Sequence, residues 1–164
     1  HPEIKRRSVS LSDVQRIVQT NSKNRFTLVE LDKSWKIKAN QGHSMKEVTE
    51  LSLEKLCLEN MNFVVVHGTY FKFWNSIKSE GLKKMKRNHI HFACTDVFEN
   101  NVSGFRRDAE ILIYINVPAA IKDGIEFYRS ENNVILSEGL NGVLEPKYFS
   151  KVIDRKRGKS LDMF

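Results

Sequence analysis

An apolar run at residues 63–66 is followed at once by His67, Gly68 and Thr69. Four consecutive apolar residues predict a buried strand. At its end we expect a histidine and a small-residue turn to face a cleft, because Gly68 lets backbone come close to a ligand. The sequence therefore predicts a core strand whose last residues bind a ligand.

A second motif places His89 and His91 two residues apart in residues 88–93. Side chains alternate along a strand, so both rings are predicted on one face of a strand over residues 89–93. From the residues alone, such a pair is more often packed in a core or bound to a metal than used to hold a nucleotide. Zinc would need a third ligand and a second shell, and the pattern offers neither, so we expect no metal.

A third motif follows at Ser103, Gly104 and Arg106. It presents a guanidinium beside a Ser-Gly turn. The planar fork of arginine stays charged and can grip two phosphate oxygens at once. This segment is therefore predicted to bind a phosphate.

The N-terminal part predicts a helix and a hairpin. Ser10 with Asp13 three residues later forms a capping-box pattern before an apolar stripe that ends at Asn21. Apolar and polar residues then alternate on two segments joined through residues 31–34, which predicts paired strands. A helix followed by a hairpin is half of a winged helix, with Lys36 and Lys38 facing away from the apolar side.

The rest of the chain predicts short strands and few helices, and so an α+β fold. Residues 45–62 interpose glutamates among leucines and are predicted to be a connector. A helix is expected over residues 70–79, ended by Gly81, with Phe71, Trp74 and Ile77 on one face. Further strands are expected over residues 110–117 and 133–136, with a short one over 124–128, and residues 146–149 are predicted to close the lobe.

Charge favours a polyanionic partner. The chain carries 27 basic and 20 acidic residues, a net charge of +7, and residues 151–164 hold five basic and two acidic residues. RNA is the natural candidate, although a solvated basic surface would have the same composition. Cys57 and Cys94 have no metal-ligand spacing, so we expect small buried thiols in a reducing compartment, cytoplasmic or nuclear. No apolar run approaches the roughly 18 residues of a membrane span, and the first residues do not form a signal peptide.

With Arg25 in the Asn-Arg-Phe segment, and His43 and Ser44 in the Asn-Gln-Gly-His-Ser segment, these ordered motifs resemble the NAD-dependent tRNA 2′-phosphotransferase family over residues 10–152. The resemblance implies an α+β fold in which a partial winged-helix lobe precedes an ADP-ribosyltransferase-like mixed-sheet lobe. It implies an RNA-binding lobe at residues 1–44, a connector at 45–62, an NAD-binding lobe at 63–153 and a basic tail at 154–164.

The resemblance also implies a reaction, the removal of the 2′-phosphate from the splice junction of ligated tRNA. The phosphate is transferred to NAD, which is consumed, giving nicotinamide and ADP-ribose 1″,2″-cyclic phosphate. The expected partners are NAD and a tRNA with an internal 2′-phosphate; no membrane is expected, and the enzyme is expected to be a monomer.

The resemblance assigns roles residue by residue. Arg25 and Arg106 match arginines that contact the transferred phosphate. The NAD-binding set is expected to be His67, Gly68, Thr69, His89, His91, Ser103 and Gly104. Lys38, His43 and Ser44 are expected near RNA phosphates, with Lys38 standing where the family usually has arginine. Members of the family also carry a Leu-Arg-His segment in an N-terminal helix, upstream of the region where this chain begins, and we expect turnover to require that helix.

Three other interpretations compete with this one. A degenerate relative would hold NAD, ADP-ribose or RNA without turnover. A related enzyme would ADP-ribosylate a terminal phosphate of RNA or DNA and omit the second step. A winged-helix DNA binder would leave the motifs at residues 67–69, 89–91 and 103–106 unexplained, so the transferase interpretation is preferred.

Overall fold

The computed structural model describes residues 2–40, 53–96 and 108–162, and within them it is a mixed α+β protein with four helices and one large sheet. The chain divides into two compact units, His1–Gln41 and Gly42–Phe164.

The first unit contains the predicted capped helix and hairpin. Its elements are α1 (Pro2–Arg6), α2 (Leu11–Thr20), β1 (Phe26–Leu31) and β2 (Ser34–Ala39). Ser10 Oγ accepts a hydrogen bond from the Asp13 N–H at 3.2 Å, and the Asp13 carboxylate accepts one from the Ser10 N–H at 3.0 Å. β1 pairs antiparallel with β2, and the intervening Asp32 and Lys33 have φ of 49° and 59°. The capping box and the hairpin are therefore confirmed.

The second unit is built around an eight-stranded sheet. The strands described in this unit, including two outside that sheet, are β3 (Leu53–Lys55), β4 (Phe63–Thr69), β5 (Leu82–Lys83), β6 (Ile90–Asp96), β7 (Ile111–Ile115), β8 (Tyr128–Ser130), β9 (Val134–Ser137), β10 (Val143–Leu144), β11 (Phe149–Asp154) and β12 (Lys159–Ser160). The sheet order is β12-β11-β7-β4-β6-β9-β8-β3, and β5 pairs with β10 separately. The helices are α3 (Phe71–Glu80) and α4 (Val117–Lys122), with 3₁₀ turns at Leu58–Asn60 and Pro146–Tyr148.

The hydrophobic core lies on this sheet. Ile111 and Ile113 of β7 are fully buried, as are Phe92 of β6 and Phe127 ahead of β8. The Phe92 and Phe127 ring centroids are 5.9 Å apart. α3 contributes Trp74 to the core, and Gly81 ends the helix with φ of 82°. The predicted helix and its glycine stop are confirmed, whereas Phe71 is 44% exposed and does not share the buried face with Trp74.

Several boundaries differ from the predictions for a shared reason, which is pairing with distant strands. β4 runs through His67, Gly68 and Thr69 because β7 pairs with it as far as Thr69, so the predicted turn is wrong. β6 begins at Ile90, which leaves His89 just ahead of the strand.

Other differences lie outside the site. The strand predicted over residues 110–117 ends at Ile115, and Asn116 caps a helix that carries a proline in its first turn. The strand predicted over 124–128 lies at Tyr128–Ser130. Residues 53–55 pair with β8 at the edge of the large sheet. The chain also continues from residues 146–149 into two further strands of that sheet, Phe149–Asp154 and Lys159–Ser160, so the predicted closure of the lobe at residues 146–149 is wrong.

The cysteines and helices bear on two further expectations. Cys57 and Cys94 are both free thiols, but Cys57 is exposed, so its predicted burial is wrong. None of the helices in the described ranges is long and apolar enough to cross a membrane. Those ranges also contain no group of three His, Cys, Asp or Glu side chains that could hold a metal ion.

Candidate active site

Two of the predicted histidines lie side by side because β4 and β6 are neighbours in the sheet. The paired register of these strands ends at Val66 and Ala93. Beyond it, the His67 ring bridges to β6 by donating from Nδ1 to the backbone oxygen of His91 at 2.9 Å. A carbonyl oxygen can only accept, so Nδ1 carries the proton and Nε2 remains an acceptor.

The environment of His67 keeps its ring neutral. Burial lowers the pKa of His67, and the hydrogen bond to the His91 backbone opposes this shift only in part. The ring packs edge-on against Phe92, with centroids 5.9 Å apart and an interplanar angle of 71°. His67 therefore presents a fixed neutral imidazole rather than a cation.

His91 is more strongly perturbed. Burial first, and then the charge of Arg87, lower the pKa of His91 to about 4. A hydrogen bond to the His89 backbone opposes the shift, while the nearby rings of His89 and His67 add to it in a minor way. The ring is therefore neutral near pH 7.

The free nitrogen of His91 is the clearest sign of a ligand in this region. Its Nε2 is buried and has no hydrogen-bond partner among the residues that the structure describes. A buried polar atom without a partner is costly, and such groups concentrate where a ligand or water completes the network. His67 and His91 thus offer two neutral imidazole acceptors on adjacent strands. Acceptors of this kind suit hydroxyl donors such as those of a ribose.

The other residues predicted in this region mainly make contacts that belong to the fold. Gly68 pairs with Leu112, and Thr69, only 4% exposed, pairs with Ile111 in the β4–β7 ladder. His89 is half-buried and lies beside His91. Of the two histidines in the second motif, it is His91 whose buried Nε2 has no partner within residues 2–40, 53–96 and 108–162.

The predicted phosphate-binding residues are distributed differently. Arg25 and Lys38 belong to the first unit and are both exposed. Arg25 is held through its backbone, since its N–H donates to Asn21 Oδ1 at 3.4 Å and its carbonyl accepts from the Asn40 N–H at 2.9 Å. The remaining predicted residues lie outside the described ranges, namely His43, Ser44, Ser103, Gly104 and Arg106.

Sequence reasoning missed the contacts that anchor the start of α3. Tyr70 donates from its hydroxyl to Asp108 Oδ2 at 3.0 Å, and the Phe71 N–H donates to Glu110 Oε2 at 2.8 Å. These partners are 38 and 39 residues apart, so no local pattern could have revealed them. Arg87 was also missed, although its place two residues before His89 was a usable signal.

Comparison with known proteins gives a consistent result. A model of the family described as RNA 2'-phosphotransferase, Tpt1 / KptA family, matches residues 1–139. The tRNA 2'-phosphotransferase 1 of Danio rerio is 44% identical over 151 residues, which cover 88% of this chain and 67% of that protein. The Homo sapiens protein of the same name is 43% identical over 152 residues, covering 90% and 60% respectively. A Schizosaccharomyces pombe relative is 46% identical over 140 residues, covering 83% and 37%. The chain thus spans between 37% and 67% of the length of these relatives.

Proposed function

The chain belongs to the RNA 2'-phosphotransferase, Tpt1 / KptA family, and we propose that it removes the 2′-phosphate from the splice junction of ligated tRNA by transferring it to NAD. The observation that carries this proposal is the family match itself. It covers residues 1–139 and so includes every motif from Arg25 to Arg106. We propose further that the first unit is a partial winged helix and the second an ADP-ribosyltransferase-like lobe.

The proposed reaction has two steps. An oxygen of the RNA 2′-phosphate bonds to the ribose carbon that bears nicotinamide, and the bond to nicotinamide breaks with departure of the neutral base. The ribose 2″-hydroxyl then attacks phosphorus and loses its proton, while the bond from phosphorus to the RNA 2′-oxygen breaks and that oxygen gains a proton. The products are repaired RNA and ADP-ribose 1″,2″-cyclic phosphate. Both steps depend on positioning and on fixed positive charge.

The histidine pair supports a ribose-binding role. The Nε2 atoms of His67 and His91 would accept hydrogen bonds from ribose hydroxyls. Because both rings are neutral, they would orient the sugar without adding positive charge where the first transition state is oxocarbenium-like. The unpaired Nε2 of His91 fits such a hydroxyl. Gly68 and Thr69 would lie towards the nicotinamide, and Ser103 and Gly104 would complete the NAD site.

Arginine charge supports the phosphate-transfer role. Arg25 and Arg106 would hold the 2′-phosphate with bidentate contacts, aided by an arginine and a histidine from the upstream Leu-Arg-His segment of the family. Lys38, His43 and Ser44 would contact RNA phosphates. Lys38 keeps the charge that the family usually places on arginine but lacks its fork, so we expect a weaker contact there. We propose that the enzyme acts as a monomer in the cytoplasm or nucleus.

The direct test is turnover of a short RNA carrying one internal 2′-phosphate, with NAD. The 164-residue chain and a version joined to the Leu-Arg-His helix of a relative would be assayed in parallel. We expect phosphate loss from the RNA and stoichiometric nicotinamide release from the version with the helix. No phosphate loss from either protein would contradict the proposal. Retained ADP-ribose binding without turnover would then favour a non-catalytic binding protein.

Paired histidine variants test the site. His91→Asn should lower kcat/KM for NAD by about three- to tenfold, the value of one hydrogen bond. Asparagine keeps a donor where His91 has Nδ1, so the fold should be retained. His89→Asn is the matched control and should change kcat/KM by less. Equal losses in the two variants would contradict the assignment of the ribose contact to His91.

A further inference from the structure

A second surface of the Gly42–Phe164 unit combines an exposed aromatic ring with a run of cations. A cavity of about 570 Å³ is lined there by Phe71, by residues 109–110 and by residues 154–157. In the sheet, β4 lies between β6, which carries His91, and β7. The residues that line the cavity come from the start of α3, from the segment just before β7 and from the end of β11 onward, and they include neither His67 nor His91. The cavity volume is within the range of small-ligand sites.

The basic side of this cavity is a fixed turn. The side chain of Asp154, which is only 3% exposed, accepts hydrogen bonds from the N–H groups of Lys156 at 3.0 Å and Arg157 at 3.1 Å. The Gly158 N–H donates to the Asp154 carbonyl at 2.8 Å, with Gly158 at φ of 64°. Arg155 also donates to the Ala109 carbonyl at 3.3 Å. A turn held this way needs little ordering when a ligand binds.

The acidic groups of the cavity are already engaged within the protein. Asp154 is used by the turn, and Glu110 accepts from the Phe71 N–H at 2.8 Å. The side chains of Arg155, Lys156 and Arg157 are exposed, and Arg157 Nε lies 3.7 Å from Asp154 Oδ2. Cations beside an exposed aromatic ring are the combination by which single-stranded nucleic acids are held, with phosphates on the cations and a base on the ring.

We propose that Phe71 and residues 155–157, the basic-turn surface, bind a single-stranded RNA segment that flanks the reacting nucleotide. A base stacks on Phe71, and the adjoining phosphates contact Lys156 and Arg157. The inference rests on the proposed function only for RNA as the substrate. The family match ends at residue 139, so the turn lies beyond it.

The test measures binding of a single-stranded RNA of about twelve nucleotides, within the usual footprint of such sites. The RNA carries no 2′-phosphate and NAD is absent, so the readout is independent of turnover. Lys156→Gln/Arg157→Gln should weaken binding and flatten the plot of log affinity against log salt by about 1.4, the value for two lost phosphate contacts. The matched control is Lys78→Gln/Lys122→Gln, which removes the same charge from the last turns of α3 and α4.

Variants of Phe71 separate stacking from charge. Phe71→Leu should weaken binding roughly fivefold or more, and Phe71→Tyr should restore it, because stacking needs a ring. Both variants keep the backbone N–H of residue 71, which donates a hydrogen bond to Glu110. The proposal would be overturned if Lys78→Gln/Lys122→Gln weakened binding as much as Lys156→Gln/Arg157→Gln does. Unchanged binding by Phe71→Leu would also overturn it. Competition by polyglutamate as effective as by RNA would also overturn it and would indicate an acidic protein partner. If turnover fails while these binding effects hold, the proposed function fails and the RNA surface stands.

Discussion

The low pKa of His91 should make the stability of the folded chain depend on pH. The pKa of His91 is about 4 in the folded chain, against the ordinary histidine value of 6.5 that applies when the chain is unfolded. Between these values the unfolded chain binds a proton that the folded chain does not. The free energy of unfolding should therefore fall as pH decreases from 6.5 towards 4. At 1.36 kcal/mol per pKa unit the full loss is about 3 kcal/mol, of which about 2.5 kcal/mol is reached by pH 4.5.

The assay is urea unfolding followed by tryptophan fluorescence between pH 4.5 and 7.5. A Trp35→Phe background leaves Trp74, which is buried in the core of the second unit, as the reporter. The stability difference between this protein and its His91→Asn variant isolates His91, because the pKa of His67 is lowered in both. As pH falls to 4.5, the protein with His91 should lose about 2.5 kcal/mol more free energy of unfolding than the variant does. A difference that stays constant over this range would refute the buried neutral ring, and His89→Asn serves as the control.

Three further predictions test separate parts of the account. Gly81→Ala should destabilise the second unit by about 2 kcal/mol or more, because an added Cβ at φ of 82° would lie 2.3 Å from the Leu144 carbonyl oxygen. Gly124→Ala, at φ of 86° with open space around it, should lower the free energy of unfolding by less. Chemical denaturation measures both values. Ser10→Ala should destabilise α2 by about 1 kcal/mol. The measurement is the loss of helical circular dichroism on heating, which should occur at a lower temperature in the variant. Arg25→Ala should reduce turnover by about 30- to 1000-fold with folding intact, while an effect smaller than threefold would remove Arg25 from the phosphate site.

Local chemistry was readable from the sequence where a few neighbouring residues decide the structure. The Ser10 capping box and the Gly81 stop each depend on hydrogen bonds within one helix end. The first hairpin, with its connection through residues 31–34, was readable from the alternation of apolar and polar residues. These features need no knowledge of what packs against them.

Boundaries set by distant partners were not readable. β4 continues through Gly68 because β7, more than forty residues later, supplies its hydrogen bonds. Val117 follows the apolar run of β7 after a single polar residue, Asn116, so the cap at Asn116 was overlooked although a proline in the first helical turn was a usable signal. Edge strand β3 exists only because β8 pairs with it. In each case the residues permit more than one structure, and tertiary pairing selects between them.

The candidate site shows the same division. The motifs located His67 and His91, but only the neighbouring positions of β4 and β6 show that one ring donates to the backbone of the other. The low pKa of His91 follows from burial and from Arg87, neither of which a motif expresses. The sequence could name the histidines, and the fold was needed to distinguish His91 from His89.

The most direct test of the account follows the phosphorus atom. An RNA with a radiolabelled internal 2′-phosphate would be incubated with NAD and the chain carrying the family's Leu-Arg-His helix, and the products would be separated. We expect the label to move into an ADP-ribose cyclic phosphate, with one nicotinamide released for each phosphate lost. Label released as inorganic phosphate, or label lost without any need for NAD, would contradict transfer to NAD.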